Sequence, residues 1–117
     1  MKKYRKVHLR KAKKRRNTNT KSKSRLLRAG SREVKNKLLA INPHCDICGV
    51  KGDSKTLQLH HTYCIRWGFP TKLEQCVLLC PNDHSMFHHR WDKYLDEVYR
   101  NDHDADFLKI YNVLKKL

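Results

Sequence analysis

The chain has 117 residues, with 27 Lys plus Arg against 11 Asp plus Glu and a formal charge of +16. That length makes one domain, and that charge is wrong for an ordinary enzyme of small neutral substrates; it points to a polyanion, most often nucleic acid. The longest apolar run, residues 76–80, is far short of the ~20 residues of a spanning helix, and no apolar stretch of a secretory signal follows the basic start.

Residues 1–29 hold 14 Lys and Arg and no acid, whereas residues 30–117 hold 13 against all 11 acids. The composition therefore predicts a basic arm over 1–29, disordered when free because it buries too little to offset chain entropy, and a folded domain over 30–117. The arm is expected to lie along phosphates and release counterions, with Lys13, Lys14, Arg15 and Arg16 its densest stretch. A solubilising or ribosome-associating tail has the same composition.

In the domain, Ser31 is a plausible N-cap for a helix over 32–41, with Val34, Leu38 and Ile41 at helical spacing and Pro43 as its stop. Turns are expected at 46–49 and 51–54. Residues 56–61 alternate like a half-buried strand. A long connection containing Gly68 and Pro70 leads to a second short strand over 76–80, which would pair with the first. Pro81 begins a turn, a helix follows over 83–100, and a last helix runs from an N-cap at Asp104 to 117. The fold class is α+β, with a core too thin to stand easily without metal.

Five cysteines, an odd number, suit metal in a reducing compartment better than a disulfide framework. Cys45-x-x-Cys48 puts two thiolates on one tight turn. Cys80 and Asp83 are the nearest candidates to close a four-ligand zinc site, with Asp83 a harder and more labile donor than a thiolate; Cys64 and Cys76 are substitutes for Asp83. Buried cysteines acting as small hydrophobes have the same spacing. His84 and His88 stand four apart on a helix and can share one ion. His60 and His61 point to opposite faces of a strand end, so one can hold the ion while the other faces a water. An open metal site with a free base beside it suits hydrolysis.

Cys45-x-x-Cys48, then Leu57-Gln-Leu-His-His61, then Val77-Leu-Leu-Cys80-x-x-Asp-His84-x-x-x-His88, resembles the HNH endonuclease family over about residues 45–90, especially small phage and intron-borne members with a zinc knuckle. The resemblance implies a ββα-metal (His-Me finger) core with flanking helices. It implies His60, His84 and His88 as ligands of one divalent catalytic ion (Mg, Mn, Ni or Zn), and His61 as general base. Cys45, Cys48, Cys80 and Asp83 would hold one structural zinc. The family's central Asn, which braces the loop carrying the base, falls on Gln75, so a longer amide takes that role; Asp83 departs from the family's fourth cysteine. Arg66 and Arg90 are candidates to hold substrate. The implied activity is hydrolysis of DNA phosphodiester bonds to a 5′ phosphate, with DNA as partner and RNA kept open. No membrane and no small-molecule cofactor are expected, and the place of action is intracellular, in the cytoplasm of a phage host. The alternative is a non-catalytic zinc-knuckle DNA- or RNA-binding protein, in its sharpest form one where histidines and cysteines share a closed structural site.

Overall fold

The computed structural model describes residues 24–117. Lys13, Lys14, Arg15 and Arg16 lie outside the described residues. The element order is α1 (Ser31–Ile41), β1 (Gln58–His61), β2 (Cys76–Leu79), α2 (Pro81–Asn101) and α3 (Phe107–Leu114), with two short 3-10 turns between the strands. The protein is a small mixed α+β fold around one two-stranded antiparallel sheet. The register pairs His60 with Val77 and His61 with Cys76, so the predicted strand pairing holds.

The ends of the elements differ from the expected ones for local reasons. Gly30, not Ser31, caps α1: it takes the left-handed conformation at φ 82°, and the Ser31 hydroxyl donates back to the Arg28 carbonyl at 2.7 Å. Strand β1 starts at Gln58 rather than 56 because Asp53 organises a turn, its carboxylate accepting from the backbone N–H groups of Lys55 and Thr56. That turn leaves Leu57 buried as an anchor beneath the sheet. Helix α2 begins at Pro81, two residues early, since proline fits a first helical turn whose N–H has no partner anyway. Asp104 does not cap α3; its N–H donates to Asp102, and Asp106 caps instead, accepting from Lys109 N–H at 3.0 Å.

Charge and packing do not share a boundary. Residues 24–29 belong to the basic stretch by composition, yet 24–27 are helical and the Leu27 carbonyl accepts from both Thr71 N–H (2.9 Å) and Thr71 Oγ1 (3.0 Å).

Two apolar clusters flank the sheet. Phe87 and Leu95 of α2 pack with Phe107, Tyr111 and Leu114 around α3, while Cys45, Leu57, Leu78 and Leu79 form the second cluster under α1. The inter-strand connection is fixed on α2 rather than left loose. Trp67 stacks on Tyr99 with ring centroids 4.8 Å apart, and Asp96 accepts from both the Trp67 indole (2.7 Å) and Arg66 (2.8 Å). Among the described residues no helix is long and apolar enough to cross a membrane.

Candidate active site

Two groups of side chains that could hold a metal ion converge beside the sheet, both drawing on the first turns of α2. In the first, one ligand atom from each of Cys45, Cys48, Cys80 and Asp83 lies within 4.8 Å of every other. The turn over 45–49 needs Gly49 in the left-handed region, φ 81°, and β2 delivers Cys80 to the N-cap of α2, whose first turn carries Asp83. Zinc–sulfur bonds of about 2.3 Å at tetrahedral angles place sulfurs about 3.8 Å apart, and Cys48 Sγ and Cys80 Sγ are 3.9 Å apart. Asp83 Oδ2 lies 3.2 Å from Cys45 Sγ and 3.4 Å from Cys80 Sγ. These four residues can hold a metal ion, consistent with a zinc site. A hydrogen bond at the Val50 backbone lowers the Cys48 thiol, but the Asp83 carboxylate, desolvation and the neighbouring thiols push it to about 12. Such crowding of acidic groups favours a bound cation.

The second group is His60, His84 and His88, whose ligand atoms also lie within 4.8 Å of one another. His60 is 3% exposed, wedged against Phe87 and Tyr111 with ring centroids at 5.1 and 5.5 Å. The helix spacing puts His84 Nε2 and His88 Nε2 3.1 Å apart. Their outer nitrogens are held: His84 Nδ1 against Gln58 Oε1 at 2.7 Å and His88 Nδ1 against Asp92 Oδ1 at 2.8 Å. When both Nδ1 atoms donate, both Nε2 atoms are bare lone pairs facing each other. Burial, and then the His88 charge, hold His84 down to about 4, which keeps its ring neutral at pH 7. The gap is one that a cation could fill, and outer carboxylate and amide partners of this kind orient metal-binding histidines. His60 Nδ1 is buried with no hydrogen-bond partner, a further sign that the group suits an ion. Burial, then the neighbouring histidine charges, lower His60 well below the usual range, which keeps it a neutral ligand.

His61 faces a cleft of about 260 Å³ that it shares with His84, His88, Arg28 and Arg66. Its Nε2 lies 3.0 Å from Thr71 Oγ1. The Thr71 hydroxyl has one proton, and the Leu27 carbonyl accepts it at 3.0 Å. Thr71 is then an acceptor toward His61, which fixes the Nε2–H tautomer and leaves the Nδ1 lone pair free. Burial, then the Arg28 charge, lower the His61 pKa, so the ring is neutral at pH 7.

The sequence candidates divide accordingly. Arg66 reaches the cleft but is tied to Asp96 and lies 3.6 Å from Asp92. Arg90 is not in the cleft; it lines a hollow with Met86, Trp91 and Leu117, because two residues past His88 is about 200° around a helix. Gln75 does not brace His61 through its amide, whose Oε1 is buried without a partner. Its backbone carbonyl does the bracing one residue on, accepting from Thr62 N–H (3.0 Å) and Thr62 Oγ1 (2.7 Å). Thr71, Asp92, Gln58 and Arg28 escaped the sequence reading. Only the His88-x-x-x-Asp92 spacing could have marked one of them.

Compared with protein-family models, with curated proteins and with solved structures, the chain matches none of them.

Proposed function

We propose that the protein is a metal-dependent endonuclease of the HNH, ββα-metal type, hydrolysing DNA phosphodiester bonds. The observation that carries this reading is a neutral histidine with one free ring nitrogen, His61, in the same cleft as the His84–His88 pair. A closed structural metal site has no use for that base.

A divalent ion held by His60, His84 and His88 would supply charge stabilisation at a phosphate oxygen and the leaving oxygen. His61 Nδ1 takes a proton from water, whose oxygen attacks phosphorus in line. The P–O3′ bond breaks, the proton balance is closed by solvent at the leaving oxygen, and a 5′ phosphate and a 3′ hydroxyl result. Thr71 holds the imidazole in the productive tautomer through this step. Arg28 and Arg66 line the cleft and would meet the reacting phosphate there. The Cys45, Cys48, Cys80 and Asp83 group would serve as the structural zinc site.

The test is nicking of supercoiled plasmid by the purified protein with Mg²⁺, Mn²⁺ or Ni²⁺, beside His61→Ala. Metal-dependent cutting that falls about a hundredfold or more without the base, within the ~10²–10⁴ span of general acid–base catalysis, supports the proposal. Cutting unchanged by the substitution overturns the site assignment. Absence of cutting with salt-sensitive DNA binding intact moves the protein to the non-catalytic zinc-knuckle binders.

A further inference from the structure

We infer that the hollow between α1 and β1 continues the cleft as a track for the nucleic-acid backbone, so that a DNA strand leaving the histidines runs over Arg28, Arg32 and Lys35. The inference rests on the nuclease reading for what lies at the cleft end and on its own geometry for the rest.

A second hollow, of about 450 Å³, lies between α1 and the start of β1, lined by Arg32 and Lys35 with Ser31, Asn36, Ser54, Gln58 and Leu59. Leu59 lines this hollow and the histidine cleft alike, and Gln58, on its floor, is the residue that holds His84. Arg28 stands on the cleft side of the join, in the turn that leads through Gly30 into α1. The two hollows are therefore neighbours along one surface, and their border is made by residues already tied to the metal ligands.

The lining chemistry selects the occupant. Among the described residues no carboxylate lines the second hollow; it offers two cations, and the hydroxyls and amides of four neutral residues. Fixed cations interspersed with neutral hydrogen-bonding groups are what phosphate and sugar contacts use. Arg32 and Lys35 are three apart on a helix, hence about 5–6 Å apart between Cβ atoms on one face, so each can serve a different phosphate of one strand. Lys35 Nζ donates to the Ser54 carbonyl at 2.7 Å; that bond uses one of three ammonium donors and aims the other two. Arg66 differs in its partners. It carries two carboxylates within 4 Å, whereas among the described residues neither Arg32 nor Lys35 is in a salt bridge.

The test compares full-length Arg32→Gln/Lys35→Gln with a control pair, Lys93→Gln/Lys109→Gln, on exposed positions that line neither hollow. Binding to a 20-base-pair duplex is measured across salt concentrations with the zinc-loaded protein and no catalytic metal. Removing one phosphate-binding cation should make the slope of log affinity against log salt shallower by about 0.9, so the slope for the groove pair should fall by about 1.8. The inference is overturned when the groove pair changes the slope no more than the control pair does. His61→Ala nicking, run in parallel, separates the two ideas. A groove slope that falls while nicking ignores His61 keeps the track and sinks the nuclease reading; His61-dependent nicking with an unmoved slope does the reverse.

Discussion

At the scale of single residues, a threonine decides which nitrogen of His61 is free. Thr71 Oγ1 has one proton, donated to Leu27, and so must accept from His61 Nε2. Thr71→Val keeps the shape and removes the acceptor. The ring then loses its preferred tautomer and its tether, and the nicking rate should fall about tenfold, the worth of one hydrogen bond near 1.4 kcal/mol, with DNA affinity unchanged. Thr71→Ser should recover most of the rate. Loss of affinity in place of rate would show that Thr71 serves folding or binding instead. A second residue-scale effect concerns shape alone. A Cβ on Gly52 would stand 2.5 Å from Thr56 Oγ1 and 2.7 Å from Leu57 Cγ, and Leu57 is 1% exposed with nowhere to retreat. Gly52→Ala should cost about 1–3 kcal/mol by overpacking, read as a lowered urea midpoint.

At the scale of elements, Asp96 fastens the inter-strand connection to α2. Burial pushes its carboxyl upward, but hydrogen bonds from the Trp67 indole and Arg66, with the charges of Arg66 and Arg100, outweigh that and hold it below the usual carboxylate range. A depressed folded pKa means a contribution that is complete above the unfolded value, about 3.9, and is lost as pH falls through the folded one. Asp96→Asn should therefore lower the urea midpoint by a constant amount from pH 7 down to about 5, with the gap to wild type closing in more acidic solution. A gap independent of pH throughout would mean that only packing is lost.

The elements also show what a sequence can reveal. Both strands, their pairing and the three helices were legible because the apolar spacing in 31–41 and 81–101 and the apolar run 76–79 mark the faces that pack, although Ile41, expected on the packed face of α1, is exposed. The ligand groups were legible because metal chemistry narrows the residue types and spacings so far. Arg90 was misassigned because proximity in sequence is not proximity in angle around a helix. Thr71 and Arg28 were invisible for a deeper reason: their roles come from the connection folding back on residues 24–29, a meeting that leaves no periodic signature in either segment.

For the whole molecule, the Cys45, Cys48, Cys80 and Asp83 group joins the 45–48 turn to α2, with Cys48 and Cys80 32 positions apart in the chain. A metal there closes a loop that the thin core would otherwise have to hold shut. Asp83 makes that closure the more labile kind, since a hard carboxylate binds zinc less tightly than a thiolate. Asp83→Cys should slow zinc release to a chelator and raise thermal stability, followed by zinc-dye competition and calorimetry. Equal release rates in both proteins would mean that Asp83 is not a ligand.

Tyr111 ties these parts in an order of assembly. Its hydroxyl donates to Asp46 Oδ2 at 2.7 Å across 65 residues of chain, and Lys115 adds a second bond to the same oxygen at 2.9 Å. Its ring meanwhile covers His60. Every residue of both groups has been synthesised by residue 88, as has Phe87 on one side of His60, yet Tyr111 on the other side arrives only with α3. A nascent chain that has just exposed its histidines thus has the residues that could hold an ion but a half-walled site, and α3 completes it.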